Sequence, residues 1–390
     1  MERLWNSNYI KVWTANFMLF LSFYLIVPLL PLFLHDTFNA DKQTIGLVLC
    51  GYTITALLIR PFSGFMVDSF NRRKVLLLCY FFFALFFAGY LIASSLLLFT
   101  IVRTLHGAPF GATTVANSTV MIDVLPSSRR TEGIGYYGMS NNLAMALGPS
   151  IGLYMYNMIG DFQWLFTLSL AIGLTGFAID STIHFKTRET IKVKEPLSFD
   201  RFFLTRSIPE SITIAALSFS FGVASTYLAI YSRDIMHISA GTGVWFALLA
   251  IGLISSRIVG GRSLRKGRII ENAGFGMTLS VVGYLLFVAV PNEFGYYAAA
   301  LIIGLGNGHM FPAMQNMFIN LAENNRRGTA NSSLLTSWDV GIGSGIILGG
   351  IVSEAISYSA AFWLSFIVNA SGVLFFWCYA RQHYLTHKVR

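Results

Sequence analysis

Apolar residues run through this chain in blocks of about twenty, separated by short polar breaks. The breaks delimit segments near 10–34, 43–67, 75–93, 95–122, 133–159 and 162–184, and then a charged stretch, HFKTRETIKVKEPLSFDRFFLTR. Six more segments lie near 208–232, 241–262, 268–290, 293–321, 328–353 and 358–381. About 20 apolar residues are enough for a helix to cross a hydrocarbon core of about 30 Å. Lipid offers the backbone no hydrogen-bond partners, so segments buried in it must be helical. The pattern predicts an all-α membrane protein of twelve transmembrane helices. Residues 1–184 form one six-helix bundle, 185–207 a linker and 208–390 a second bundle. Arg3 and Lys11 precede a run that continues to Leu34, too long for the apolar core of a secretory signal and without a small-residue cleavage site. That run reads as the first span.

Sliding the second half over the first gives matches at one offset, 197. Arg60 and Gly64 fall on Arg257 and Gly261, Gly107 and Gly111 on Gly304 and Gly308, Arg129 and Arg130 on Arg326 and Arg327, and Gly148 and Gly152 on Gly345 and Gly349. A constant offset of this kind implies two parallel six-helix repeats in the same orientation. Such repeats suit a transporter whose halves rock around a midplane site, so that access alternates between the two sides.

Composition supports the membrane reading: 55% of residues are hydrophobic and 12% charged, against about 25% charged in an ordinary soluble domain. The net charge of +9 is explained by its location. Under twelve spans, 22 of the 27 Lys and Arg residues lie on the side of the termini and linker, and only Lys42 and Arg233 lie in the opposite loops. The positive-inside rule makes both termini cytoplasmic and removes the case for nucleic-acid binding. Cys50, Cys79 and Cys378 are isolated in apolar runs, which suggests neither a disulfide framework nor a metal cluster. No H-E-x-x-H, G-x-S-x-G or G-K-[ST] occurs, so the sequence offers no enzyme site, no cofactor and no ATP-binding loop. Energy would come from an ion or substrate gradient.

Three motifs stand out. Gly64, Asp68, Arg72, Arg73 and Lys74 form G-x-x-x-D-x-x-x-R-R-K between spans 2 and 3. Arg103, Gly107 and Gly111 form R-x-x-x-G-x-x-x-G in span 4, and span 5 reads GYYGMSNNLAMALGPSIG, with Gly135, Ala144, Gly148, Pro149 and Gly152. Span 1 adds VPLLP, with Pro28 and Pro31. Together they resemble the major facilitator superfamily over all twelve spans, and within it the drug:proton antiporter branch. The chain has Ser69 where the family has a basic residue, Asn71 and Ala144 where it has glycine, and Leu153 in place of a second glycine.

The resemblance implies a cytoplasmic latch of Gly64, Asp68, Arg72, Arg73 and Asp123. Asp68 would face the positive N-terminus of span 11 at GTANSS, and Arg72 would meet Asp123. The plainer reading of the three cations is that they only set topology. Arg103 matches the family's proton-linked motif; a charge near the bilayer centre costs at least about 2.5–3.5 kcal/mol, so it needs a polar reason to be there. Its alternative is to bond backbone carbonyls at a bend near Pro109. Gly135, Gly148, Pro149 and Gly152 resemble the motif of the family's exporters.

The family's cavity is lined by spans 1, 4, 7 and 10. His106, Phe110, Thr113 and Asn117 share one stripe of span 4 at helical spacing. Asn307, His309, Gln315 and Asn316 mark span 10, and Asn142 lies on span 5. Phe20, Tyr24, Phe110, Phe219, Tyr227, Phe311 and Trp338 would suit flat amphipathic or cationic molecules. Asp339, midway along span 11, is the one acidic residue placed deep in the membrane, and Asn142 is its repeat counterpart. A carboxylate at that depth can load and release a proton as access alternates, or else serve in a structural ion pair. Asp339, His106 and Arg103 are the candidates for proton coupling.

The sequence therefore predicts a proton-coupled exporter of small amphipathic, drug-like molecules. The alternative is an exporter or proton symporter of a specific metabolite such as a sugar, amino acid or siderophore, or of a lipid. Expected partners are a small-molecule substrate, protons and the lipid bilayer, with no nucleic acid. The expected setting is a monomer in a bacterial inner membrane.

Overall fold

The computed structural model describes residues 3–40, 42–184, 199–238 and 241–389. Residues 185–198, most of the expected linker, lie outside the described set, as do the side chains of Arg257 and Arg233.

Twelve helical rods make up the described residues. In the first half they are α1 (Ser7–Phe38), α2 (Lys42–Ser69), α3 (Arg72–Ile92), α4 (Leu96–Val124), α5 (Arg130–Ile159) and α6 (Phe162–Ser181). In the second they are α7 (Ile208–Asp234), α8 (Gly241–Arg265), α9 (Ile269–Ala289), α10 (Glu293–Leu321), α11 (Arg327–Ala355) and α12 (Tyr358–His387). Eight of them, α1 to α3, α6, α7, α9, α11 and α12, are long and apolar enough to cross a membrane on length and composition alone. Helices α4, α5 and α10 fall outside that group because they carry polar residues inward: Arg103, His106 and Asn117 on α4, Glu132 and Ser140 on α5, and Asn307, His309 and Gln315 on α10 are all buried. The described part of α8 gives a shorter apolar run, Gly243–Ser256.

Local chemistry sets the ends. Ser95, Asn292 and Ser357 accept from the backbone N–H three residues on and so cap α4, α10 and α12; Asp161 caps α6 by accepting from the N–H of Gln163, two residues on. Helix α1 tightens into a 3-10 turn at Val27–Leu29, where Pro28 and Pro31 withhold backbone donors. It closes on Asn39 in the left-handed region (φ 51°).

The repeat reappears in the element boundaries. Arg72 and Ile269 open α3 and α9, Leu96 and Glu293 open α4 and α10, and Arg130 and Arg327 open α5 and α11, each pair 197 residues apart. The 3-10 turns Ser127–Arg129 and Asn324–Arg326 obey the same offset.

The chain forms two compact units. The first contains Met1–Arg130, Ser140–Phe203 and Asn325–Ser332; the second contains Thr131–Met139, Leu204–Asn324 and Ser333–Arg390. The opening turns of α5 and α11 thus each belong to the unit opposite the rest of their helix. Each unit is centred on aromatic packing. In the first, Phe33 meets Phe99 and Phe166 at 5.1 Å, and Tyr90 meets Phe99 at 5.1 Å. In the second, Tyr231, Phe287 and Phe362 pack with centroids 4.7 to 5.6 Å apart.

Candidate transport site

One cluster of polar side chains lies deep within the first unit. Arg103, His106, Tyr90 and Tyr52 are 4%, 0%, 1% and 3% exposed. Arg103 Nη1 donates to the Tyr90 hydroxyl at 3.1 Å, and that hydroxyl lies 2.7 Å from His106 Nδ1. The guanidinium carbon sits 4.0 Å above the Tyr52 ring, close enough for a cation–π interaction. Phe83, Phe86 and Phe87 wall His106 at centroid distances of 5.0, 5.4 and 4.9 Å. Small residues make this approach possible: a Cβ on Gly111 would lie 2.7 Å from the Ala56 carbonyl oxygen, so α4 seats directly on α2. Thr113, and not Arg103, bonds the Pro109 carbonyl, at 2.6 Å.

The contacts admit two proton arrangements: the Tyr90 oxygen accepts from Arg103, and either its hydrogen goes to His106 Nδ1 or its second lone pair accepts from an Nδ1–H. No carboxylate faces the cluster among the described residues. A second proton on His106 would set an imidazolium beside the guanidinium with no counter-ion.

The repeat supplies a control. Residues 197 positions after Tyr52, Tyr90, Arg103 and His106 are Leu249, Phe287, Ala300 and Ile303, and all four are buried in the hydrophobic core of the second unit. The architecture can therefore be built at these positions from aliphatic and aromatic side chains alone. Placing a buried cation and a histidine there costs stability that a packing role does not return.

A second constellation lies where α2, α3 and α4 meet the opening turn of α11, all inside the first unit. Asp68 Oδ1 accepts from the Gly328 N–H at 2.9 Å, and Oδ2 accepts from the N–H and hydroxyl of Thr329 at 2.8 and 2.9 Å. These are the orphan donors of a helix start, where the dipole also favours negative charge. Arg72 bridges Asp68 at 3.1 Å and Asp123 at 2.5 Å, and Arg327 reaches Asp123 from α11 at 2.9 Å. Gly64 lets the helices close: a Cβ there would lie 2.9 Å from the Gly328 carbonyl oxygen. Arg73 stands apart, donating to the Ser181 carbonyl at 2.6 Å at the end of α6. Arg326 pairs with Asp200.

The model of the Major Facilitator Superfamily matches residues 12–290 and 264–389. The chain belongs to the major facilitator superfamily. It is 23% identical to the staphylopine export protein of Staphylococcus aureus (strain Mu50 / ATCC 700699) over 90% of both chains. It is 21% identical to the quinolone resistance protein NorA of Staphylococcus aureus (strain COL) over 95% of both. Among solved structures it resembles the major facilitator superfamily transporter FucP in the outward conformation, with a TM-score of 0.80 at 15% identity, over 97% of this chain and 99% of that one. The fold is the twelve-span, two-repeat transporter fold of the superfamily, and the protein is an integral, multi-pass membrane transporter, not an enzyme.

The remaining candidates are distributed over both units. In the first unit Phe20 stacks on Tyr24 at 6.0 Å and meets Phe110 edge-on at 5.7 Å. Asn117 donates to Asn16 at 3.4 Å and Asn16 to Ser140 at 2.7 Å, a polar thread joining α4, α1 and α5; Asn142 is buried nearby on α5. The exporter-like motif packs α5 on α1, since a Cβ on Gly148 would lie 2.6 Å from Tyr24 Cβ; Gly152 abuts the Leu25 backbone. Gly135 is buried and Pro149 half-buried.

In the second unit Asp339 is half-buried midway along α11. Its neighbour Trp338 meets Phe311 edge-on at 5.2 Å. Asn307 and Gln315 are buried on α10. His309 and Asn272 are paired reciprocally, Nδ1 with Oδ1 at 2.9 Å and Nδ2 with the His309 carbonyl at 3.0 Å, while Asn316 bonds the Pro312 carbonyl at 2.7 Å. Phe219 lies in the core, and Tyr227 donates to the Ile346 carbonyl at 2.7 Å, bracing α7 against α11.

Sequence reasoning found Arg103 and His106 but missed Tyr90 and Tyr52, which join them. Tyr90 sits in FFFALFFAGYLI, an apolar run in which an aromatic reads as lipid-facing. The one available signal was the repeat: at the same offset, a tyrosine in the first half stands against a phenylalanine in the second.

Proposed function

We propose that this transporter is a proton-coupled exporter of small amphipathic molecules. The observation that carries this reading is the Arg103–Tyr90–His106 chain, buried where the second repeat has only apolar side chains. Its chemistry suits coupling. Arg103 on Tyr90 and a second proton on His106 exclude one another, because nothing nearby neutralises two cations. Proton loading on His106 therefore requires Arg103 to leave the Tyr90 hydroxyl, and release lets it return. Such a linkage ties protonation to the packing of α2, α3 and α4, and Asp339 on α11 is the second proton carrier in the proposal. Exporter relatives and the exporter-like motif, whose Gly148 and Gly152 abut α1, favour outward transport. The Asp68, Arg72 and Asp123 cluster, holding the start of α11, serves as a latch released during the cycle. The protein acts as a monomer in a bacterial plasma membrane, with both termini cytoplasmic, as the distribution of Lys and Arg favours.

The test is transport in inside-out vesicles with an imposed proton gradient, following accumulation of a fluorescent amphipathic dye. Wild-type uptake that collapses on adding a protonophore and is lost in His106→Gln and Asp339→Asn supports the proposal. Uptake indifferent to the protonophore overturns proton coupling. Uptake unchanged in His106→Gln removes the buried chain from the coupling path. Absence of dye uptake in wild type favours the second reading, export of a defined polar metabolite, which the similarity to a staphylopine exporter supports.

A further inference from the structure

The last helix ends in side chains outside the proposed coupling path. After a π-helical turn at Phe376–Ala380, α12 continues as Arg381–His387, and His383 and His387 stand one turn apart on one face. Their rings stack with centroids 4.2 Å apart and an interplanar angle of 19°. The partners of the two Nδ1 atoms fix the tautomers. His383 Nδ1 lies 3.0 Å from Glu210 Oε1, and His387 Nδ1 lies 2.9 Å from the His383 carbonyl oxygen. A carboxylate and a carbonyl can only accept, so each Nδ1 carries the hydrogen. Thr386 Oγ1, 2.8 Å from His387 Nδ1, can share that donor. Both Nε2 atoms are left with a lone pair, on two rings already side by side. Protonating both instead would stack two imidazolium rings with one carboxylate between them.

We propose that His383 and His387 form a bidentate site for a borderline divalent metal ion of the Zn²⁺ and Ni²⁺ class, oriented by Glu210. Zinc bound by two imidazole nitrogens at 2.0–2.1 Å in tetrahedral geometry needs those nitrogens about 3.3 Å apart, and two histidines at i and i+4 on one helix face can turn their rings to provide that. Glu210 supplies what such a site requires behind its first ligand: a carboxylate on the far nitrogen sets the tautomer and raises ligand basicity. Glu210 is fully buried, its Oε1 faces His383 Nδ1, and its Oε2 has no hydrogen-bond partner among the described residues. The platform is held from two sides. Asn320 donates to the Tyr384 hydroxyl at 3.0 Å, and the Val389 N–H donates to the Asn320 carbonyl at 2.8 Å, docking the segment on α10. No group of three His, Cys, Asp or Glu side chains gathers as a metal cage among the described residues. The pair therefore gives two ligands, His387 is exposed, and water completes the shell. A bound ion would clip successive turns of the terminal helix and stiffen its docking on α7 and α10.

Isothermal titration of ZnCl₂ into the full-length protein, purified in detergent with its affinity tag removed, tests the assignment. One ion per chain is expected, with binding lost in His387→Ala, whose side chain is exposed and whose loss leaves the fold intact. Glu210→Gln is expected to weaken binding about tenfold, the lower end for a residue supporting a metal ligand. No binding to wild type, or equal binding to His387→Ala, overturns the proposal. Should Glu210→Gln fail to fold, Cu²⁺ electron paramagnetic resonance of the wild type decides. Hyperfine coupling to two imidazole nitrogens is expected, and a spectrum unchanged by His387→Ala refutes the site.

Discussion

Replacing Tyr90 with phenylalanine removes one oxygen from the buried chain and nothing else of size. That hydroxyl accepts from a charged guanidinium and shares a hydrogen bond with an imidazole, at 3.1 and 2.7 Å, with all three side chains under 5% exposed. A hydrogen bond to a charged group contributes about 1.5–3 kcal/mol net, and a neutral one about 0.5–1.5 kcal/mol. With both partners left buried and short of a bond, Tyr90→Phe should cost about 2–4 kcal/mol. At about 2–4 °C per kcal/mol for a unit of this size, the melting temperature should fall by roughly 4–16 °C. Tyr52→Phe is the matched control. It keeps the ring beneath Arg103 and deletes a hydroxyl without a hydrogen-bond partner among the described residues, so its effect should stay within about 0.5 kcal/mol. The assay is thermal unfolding in one detergent, followed by intrinsic fluorescence and size-exclusion recovery. A Tyr90→Phe protein that melts with wild type, or a Tyr52→Phe protein that falls as far as Tyr90→Phe, would refute the assignment of Tyr90 as the link.

Asp68→Asn exchanges an acceptor for a donor in front of the Gly328 and Thr329 amides, and hydrogen exchange at those two positions should quicken at least about tenfold; unchanged protection would show that the carboxylate does not hold them. Gly148→Ala should cost about 1–3 kcal/mol in thermal unfolding, because its Cβ would meet Tyr24 at 2.6 Å. Gly343→Ala in α11, where an added Cβ meets nothing within 4 Å, should be neutral or stabilising by up to about 1 kcal/mol. Asp180, 1% exposed on α6, has no partner for either carboxylate oxygen among the described residues, so Asp180→Asn should hold or raise the melting temperature; a loss of several degrees would mean that the carboxylate is paired.

Much of this protein was legible in sequence because lipid imposes its demands locally. A run of apolar residues must be a helix whatever it packs against, so the rods and their order followed from hydropathy. The repeat was equally open: offset matches between glycines and arginines reappear as element starts 197 residues apart. The hydropathy signal is weaker in α4, α5 and α10, where buried polar residues such as Arg103, Glu132 and Asn307 interrupt the apolar run.

The pairing of those faces belonged to tertiary structure. Within a membrane every apolar face is equally content against lipid, so composition does not say which faces meet. Small residues and a few polar groups decide. Gly111 seats α4 on α2 and brings Arg103 over Tyr52; Tyr90 arrives from α3 with the one hydroxyl that joins Arg103 to His106. Arg327, read from sequence only as one more topological cation, reaches Asp123 beside Arg72 from the opening turn of α11. Sequence determined where the chain is helical and which residues are too costly to bury without a reason; only the packing of helices supplied their partners, since those partners lie on other helices at separations no local pattern encodes.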